Sequence, residues 1–509
     1  MVFSSTEFLF LFLPVVLTGY YLLHLPAVLM LRAFPWRRAC NLFLLLMSLA
    51  FYFCGEAWLV WIVITSTLID YTCGLIIAGG GRGAPAQLDI GGPRTPRQRF
   101  GLILSICSNM AFLGVFKYFN FGIDSYNAVL GWLGLGQLGL HDVIEITLPL
   151  GISFYTFQSM SYTIDVYRGK VPATRHLVDF ACYVTMFPQL VAGPIVRYSD
   201  VARQLAHRTL SLPQFTSGVC RFVVGLTKKV LVANVVAVPV DRIFAMPLDE
   251  ITAPVAWLGA IGYAIQIYFD FSGYSDMAIG LGRMFGFEYL ENFRYPYIAR
   301  SMREFWRRWH ISLSTWFRDY LYVPLGGSRR SKGRTYVNLV TVFFLCGLWH
   351  GAEWTFVVWG LYHGLFLVCE RFGPIERFLG RHRLLGHAYT LVGVLVGWVI
   401  FRSESFWQSY VFLRSMAGLS TATELSYTMA YFLTPDVCLA IAFGVVFSMP
   451  ICPVLLGRVA GWSEQGQASG RLFQRVATVI FVIGIIGAMT ISAMSLSTGS
   501  YNPFIYFRF

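Results

Sequence analysis

The chain has 509 residues, 56% of them hydrophobic and 13% charged, with a formal net charge of +13. A soluble globular chain carries about 25% charged residues, so this composition excludes an ordinary soluble enzyme and makes lipid the main solvent. The position of the positive charge speaks against a nucleic-acid partner: Arg294–Arg334 holds nine arginines and Lys332 against Glu304 and Asp319, which is +8 of the total.

Apolar runs follow in chain order: Phe8–Leu31, Cys40–Phe53, Trp58–Ile77, Leu102–Phe116, Leu177–Val191, Phe215–Val238, Val255–Phe269, Val337–Trp349, Trp354–Val368, Tyr389–Ile400, Val437–Val454 and Val476–Met494. Several are shorter than the roughly 20 residues of a simple span. The expectation is therefore an all-α polytopic membrane protein of about ten to twelve transmembrane helices, some broken, tilted, re-entrant or interfacial. Membrane lipid is its first partner. The start, Met1-Val2-Phe3-Ser4-Ser5-Thr6-Glu7, has no basic flank, and no small-x-small cleavage site follows Leu31, so the first run is expected to stay as a span. Arg32, Arg37, Arg38 and the basic loop Arg82–Arg99 mark the cytoplasmic side. Cys40–Phe53 and Trp58–Ile77 read as an out-and-back pair joined near Gly55, which puts the N-terminus outside the cytoplasm. The loop with Gly79-Gly80-Gly81 reads as flexible.

No repeat of fixed period and no long linker is present, so one membrane domain over residues 1–509 is the simplest organisation. Ten cysteines lie scattered in apolar stretches without a C-x-x-C pair. They read as small buried hydrophobes, and neither a metal site nor a disulfide framework is expected.

Between residues 151 and 363 the apolar runs are interrupted by dense polar and aromatic segments, among them Gly151-Ile152-Ser153-Phe154-Tyr155, Phe187-Pro188-Gln189 and Ala192-Gly193-Pro194. Polar groups at membrane depth are costly unless they face a cavity or one another, so the catalytic block is expected here. His350 ends the run Val337–Trp349. By position it is either an interfacial histidine bonded to a carbonyl or a functional group inside the membrane. Gly347 and Gly351 beside it permit close approach of backbone or ligand.

His310 falls in Arg303-Glu304-Phe305-Trp306-Arg307-Arg308-Trp309-His310-Ile311-Ser312-Leu313-Ser314-Thr315-Trp316, which reads as one helix. In that helix Arg303, Trp306, Arg307 and His310 would share a face. A basic, aromatic face of this kind either holds a phosphorylated nucleotide such as coenzyme A, with guanidiniums on phosphates and the indoles of Trp306 and Trp309 on the ring, or lies on anionic lipid. Asp270 and Asp276 could serve a proton relay or an ion site, but a lone buried carboxylate is costly, and the expectation is that they pair with the arginines downstream. Asp165 and Arg168 read as a local pair by the same logic. Cys346, one turn before His350, suggests a thiol with a histidine base, yet no third orienting group is visible. His363 stands thirteen residues past His350 with no motif to support it.

Taken in order, Phe187-Pro188-Gln189-Leu190-Val191-Ala192-Gly193-Pro194, Tyr268-Phe269-Asp270-Phe271-Ser272-Gly273-Tyr274-Ser275-Asp276, Trp306-Arg307-Arg308-Trp309-His310 and Leu348-Trp349-His350-Gly351 resemble the membrane-bound O-acyltransferase family. Within it they are similar to the branch of alginate-acetylating membrane subunits and their D-alanyl-transferring relatives. The likeness runs from Met1-Val2-Phe3-Ser4-Ser5 to Pro503-Phe504-Ile505-Tyr506-Phe507.

The resemblance implies that His350 is the catalytic histidine and His310 the second functional position. It implies donor and substrate contacts at Arg307, Trp306, Trp309, Asp270, Asp276 and Gln189, and a multi-helix body around a central tunnel with both histidines near its narrowest point. The donor would be acetyl-CoA arriving from the cytoplasm, with no tightly bound cofactor. The acetyl group would leave toward the periplasm, onto a polysaccharide acceptor, alginate matching best, or onto periplasmic acetyltransferase partner proteins. The place would be the bacterial inner membrane. The residues suit this chemistry, because hydroxyl attack on a thioester needs a base of near-neutral pKa and histidine supplies one. Two other readings stay open. One is a proton-coupled transporter or flippase using Asp270, Asp276 and the histidines, against which the lack of repeat symmetry counts. The other is an acyltransferase whose acceptor is cellulose, teichoic acid, a lipid or a protein.

Overall fold

The computed structural model describes residues 2–28, 36–79, 87–141, 143–420, 422, 427–451, 454, 468–499 and 501–502, without the side chains of 468–474. Arg32, Gly80, Gly81, Arg82, Cys452 and residues 503–507, all singled out in the sequence, lie outside them. The structure is 76% helical, with no strand among the described residues. Six helical stretches among them are long and apolar enough to cross a bilayer: Phe8–Pro26, Trp36–Ala78, Pro96–Phe116, Leu212–Phe244, Arg383–Arg402 and Arg475–Ser497. Trp354–Cys369 and Pro435–Phe447 are shorter apolar helices. The protein is thus an all-α, multi-pass membrane protein. By its internal contacts it divides into two compact units.

The first unit covers residues 7–216 and 281–290 together with the first two residues. Its helices are α1 (Leu13–Val28), α2 (Trp36–Glu56), α3 (Val60–Ala78), α4 (Pro96–Phe116), α5 (Phe119–Trp132), α6 (Ile152–Arg168), α7 (Leu177–Thr185), α8 (Phe187–Leu190) and α9 (Tyr198–Ala206). The stretch Trp36–Ala78 is interrupted at Ala57, which adopts φ 46°, and α2 touches α3. The helix α4 starts on a capping box, with Thr95 Oγ accepting from the Gln98 N–H and Gln98 Oε1 from the Thr95 N–H.

No apolar run announced α6, yet it is almost wholly buried, serines, threonines and Gln158 included. The reason is a polar seam shared with α3 and α4. Asp70 accepts from Ser105 Oγ at 2.5 Å and from Asn109 Nδ2 at 2.8 Å, Ser105 meets Thr163 Oγ1 at 2.7 Å, and Ser159 Oγ donates to Asn109 Oδ1 at 3.3 Å. A second buried polar node forms at Arg208, whose guanidinium donates to Tyr20 and Asn41 and lies over the Phe287 ring. Asp165 meets Lys170 at 3.6 Å.

The second unit covers residues 3–6, 217–280 and 291–509. Here α10 (Leu212–Thr227) continues through a π-helical turn, Lys228–Ala233, into α11 (Asn234–Phe244), and α12 (Ala253–Met284) packs against this composite helix. Small residues set the spacing. A Cβ on Gly225 would meet the Gly273 carbonyl oxygen at 2.5 Å, and one on Gly280 would meet the Gly218 carbonyl oxygen at 2.6 Å. Backbones can approach this closely only where neither helix carries a side chain.

The same face carries the buried ions. Lys229 Nζ lies 2.8 Å from Asp270, both side chains at most 3% exposed, while Asp276 binds Arg221 at 2.7 Å and Lys228 at 2.6 Å. This corrects the expected pairing of Asp270 and Asp276 with the arginines downstream. Their partners lie upstream, on the helix that the glycines bring within reach. The remaining helices are α13 (Met302–Arg308), α14 (Ile311–Phe317), α15 (Lys332–His350), α16 (Trp354–Cys369), α17 (Gly373–Arg381), α18 (Arg383–Arg402), α19 (Phe406–Met416), α20 (Met429–Phe432), α21 (Pro435–Phe447) and α22 (Ala468–Ser497).

Removing one partner of a buried ion pair strands the other charge, at a cost of about 3–5 kcal/mol, whereas replacing both by apolar residues of similar volume is often neutral. Asp270→Leu is therefore expected to lower the thermal stability of the purified protein by that amount, and Asp270→Leu combined with Lys229→Met to recover most of it. A single variant that melts like the unmodified protein would show that the pair is no such constraint.

Candidate active site

Two histidines form the centre, each positioned by a different device. His350 is the last residue of α15 and is buried. The hairpin of α15 and α16 closes tightly because Gly347 and Gly360 face one another: a Cβ on Gly360 would lie 3.1 Å from the Gly347 nitrogen. Of the two approaches the sequence allowed at Gly347 and Gly351, the structure uses that of the protein itself, the neighbouring backbone at Gly347 and the Phe356 ring at Gly351. Closure sets Trp359 edge-on to the His350 imidazole at 5.0 Å between centroids, with Trp349 at 5.0 Å and Phe401 of α18 at 5.4 Å.

His310 is held by a break in the chain. The single helix expected over residues 303–316 is two helices, α13 ending at Arg308 and α14 beginning at Ile311, with His310 between them at φ 41° and ψ 55°. A non-glycine residue in this left-handed region persists only where its surroundings fix it. The fixing groups are close. The Arg294 N–H donates to the Arg308 carbonyl and the Ile311 N–H to the Asn292 carbonyl, both at 2.9 Å. The break takes His310 off the face of Arg303 and Arg307 and turns it inward to full burial, against Phe271 at 4.6 Å, Trp349 at 5.8 Å and His350 at 6.4 Å.

The short helix α13 is anchored at its start. Ser301 caps it through the Glu304 N–H, and the buried Glu370 carboxylate, just past α16, accepts from the N–H groups of Met302 and Arg303, the favourable place for an anion at a helix N-terminus. Burial pushes the Glu370 carboxyl up from its ordinary value, partly offset by those N–H donors. At Glu304 burial works in the same direction, but the Arg300 N–H and the Arg308 guanidinium outweigh it and hold that carboxyl below its ordinary value.

The other candidates separate by environment. Arg307 is exposed on α13 and forms no ion pair among the described residues. Trp306 and Trp309 are core residues: Trp306 donates its indole N–H to His363 Nδ1 at 3.3 Å, and Trp309 packs against Phe293, Phe305 and Trp398. The open basic and aromatic face expected at this segment is thus reduced to its arginines. Asp270 and Asp276 sit in the ion pairs described above, and it is their neighbours Phe271 and Ser275 that reach toward His310, by ring contact and through Asn292. Gln189 belongs to the first unit, buried in α8, with its Nε2 donating to the Tyr183 carbonyl. Cys346 is buried one turn before His350. Among the described residues no three His, Cys, Asp or Glu side chains are grouped as metal ligands would be.

Sequence reasoning passed over Asn292 and Trp359. Asn292, in Glu291-Asn292-Phe293, carries no spacing signal that ties it to a histidine eighteen residues away. Trp359, fully buried, contacts both His350 and His363 and has no hydrogen-bond partner for its indole nitrogen among the described residues.

Comparison with known proteins covers the same region. The model of the membrane-bound O-acyltransferase family matches residues 171–373, which include both histidines. The chain is 42% identical to a probable alginate O-acetylase of Azotobacter vinelandii over 531 residues, 100% of each chain. It is 34% identical to a peptidoglycan O-acetyltransferase of Helicobacter pylori, with 82% of this chain and 80% of that one covered, and 28% identical to a teichoic acid D-alanyltransferase of Bacillus subtilis over 52% and 71% respectively.

If the glycine contact sets the His350 position, Gly360→Ala should disturb it. The added methyl must displace the Phe343 carbonyl or the Gly347 backbone, an overpacking that costs about 1–3 kcal/mol. Thermal unfolding should fall accordingly, with activity falling alongside, while Gly333→Ala, open within 4 Å of its Cβ, should leave both unchanged.

Proposed function

The chain belongs to the membrane-bound O-acyltransferase family and is an O-acyltransferase, and from that premise we propose that it transfers acetyl groups from a cytoplasmic thioester donor, acetyl-CoA, to hydroxyl groups of an exported polysaccharide, alginate first. The bacterial inner membrane is the place that fits this task. The observation that supports the reading best is the meeting of two buried imidazoles, 6.4 Å apart at their centroids, in an aromatic surround, on a chain whose full-length relative is a probable alginate O-acetylase. The three relatives, a probable alginate O-acetylase, a peptidoglycan O-acetyltransferase and a teichoic acid D-alanyltransferase, have a polymer acceptor in common, which favours a polymer acceptor over lipid or protein. A periplasmic partner protein that takes the acetyl group onward is compatible with the same chemistry.

In this mechanism the acceptor hydroxyl oxygen attacks the thioester carbonyl carbon, His350 takes the hydroxyl proton, the carbon–sulfur bond breaks, and the thiolate leaves and is protonated. A histidine suits this because its ordinary pKa lies near neutrality. General-base action supplies about 10²–10⁴ in rate, so positioning of the reactants away from water must supply the remainder. A path through the protein with the two histidines at its narrow part would do both. Arg307, exposed and without an ion pair among the described residues, is the group best placed to meet donor phosphates.

In a strain that makes the polymer, His350→Ala is expected to abolish its acetylation while protein level and membrane insertion stay normal; full acetylation would overturn the assignment. Arg307→Ala is expected to raise the KM for acetyl-CoA by about tenfold, the worth of one charge-assisted contact, with kcat little changed. Steady-state kinetics on purified protein would reject the donor role if KM did not move.

A further inference from the structure

The geometry points to Asn292 as the residue that sets the tautomer of His310 and thereby makes its Nε2 a second proton acceptor beside His350. This rests on the reading of the two-histidine centre as the acyl-transfer site.

A neutral imidazole carries one N–H and one lone pair, and the partner of one nitrogen decides which is which. Here the partner's own orientation is fixed independently. The backbone N–H of Ser312 lies 3.2 Å from one terminal atom of the Asn292 amide. A backbone N–H only donates, so that atom is the oxygen, Oδ1. The other terminal atom, Nδ2, donates to Ser275 Oγ on α12 at 3.0 Å, which agrees. Oδ1 also faces His310 Nδ1 at 3.2 Å. Since an amide oxygen can only accept, Nδ1 must carry the hydrogen. Ser312 Oγ donates to the same oxygen at 2.9 Å, which leaves its lone pairs toward Nδ1 at 3.4 Å, and both neighbours therefore demand the same tautomer.

The lone pair is then on Nε2, which is buried and has no hydrogen-bond partner among the described residues. A buried acceptor left unpaired is destabilising. The imidazole cannot rotate to relieve it without giving up Asn292. The titratable group that faces it is His350, from the end of α15. His310 is thus held to receive at Nε2 the proton that His350 takes from the acceptor hydroxyl: a His350 N–H bond breaks, the Nε2–H bond forms, His350 returns to its neutral form, and the gain in positive charge on His310 strengthens Nδ1–H···Oδ1. Asn292 touches no reacting atom in this scheme and is a positioning residue.

Full-length protein in lipid nanodiscs, labelled with ¹⁵N at histidine, gives the direct test. The His310 ring signals, identified by their loss in His310→Gln, should show a protonated Nδ1 and an unprotonated Nε2; the reverse pattern overturns the proposal. In acetyl-CoA turnover Asn292→Ala should lower kcat by about 10–100-fold, the usual loss on removing a partner that orients an active imidazole, with KM changed less than about twofold. Asn292→Asp, which keeps an accepting oxygen, should recover to within about tenfold of the unmodified rate. Asn292→Ala with unaltered kcat, or Asn292→Asp as poor as Asn292→Ala, would overturn it. Failure of the underlying reading looks different: His350→Ala would then turn over acetyl-CoA normally while the His310 spectrum still showed the Nδ1–H form.

Discussion

Inside a bilayer there is no water to satisfy a polar group, so every donor, acceptor and charge buried there has to find its partner within the protein. Much of this structure follows from that constraint. The seam of Asp70, Ser105, Asn109, Ser159 and Thr163 joins three helices of the first unit through hydrogen bonds. Lys229 and Asp270 do so by charge in the second. The glycines of α10 and α12 are the precondition for the latter, because a side chain at Gly225 or Gly273 would hold the helices too far apart for a lysine to reach its carboxylate.

The fold class was legible in the sequence, since long apolar runs signal their spans directly and each apolar run that the structure describes falls within or across helices. The helix α6 was not legible. Its serines, threonines and Gln158 lower its hydropathy to that of a loop; carbonyls of α6 itself take up hydroxyls such as those of Thr156 and Ser161, and Ser105 and Asn109, far off in sequence on α4 and tied to Asp70 of α3, receive Thr163 and Ser159. The same limit applied to Asp270 and Asp276. Sequence proximity favoured the arginines downstream, but the backbone approach that decides the pairing is set by glycines whose register cannot be read from one helix alone.

At the site, the two histidines were legible because they stand in compact motifs. What surrounds them was less so. A periodicity argument carries a helix through Trp309 and His310 because nothing there is a glycine or proline, yet the backbone turns left-handed at His310. The cause is non-local: the chain at Asn292–Arg294 pairs with Arg308–Ile311 and takes up the hydrogen bonds that a continuous helix would have kept for itself. Trp306 and Trp309 become core residues by the same change, and Asn292 acquires its place next to an imidazole.

The left-handed turn at His310 also separates two chemical environments over a very short length of chain. Arg307 is exposed, Arg308 is part-exposed in a surface ion pair with Glu304, and two residues later His310 has no exposure at all. The turn acts as a bulkhead. Under the proposed assignment of Arg307 to the donor and of the two histidines to acyl transfer, residues on the outer side can be exchanged under selection for a different leaving group without altering the packing that aims the imidazole, and residues on the inner side can be tuned without disturbing the charge of the surface. On that assignment a protein built this way can change what delivers the acyl group while keeping the machinery that transfers it, which makes diversification within such a lineage a matter of surface substitution.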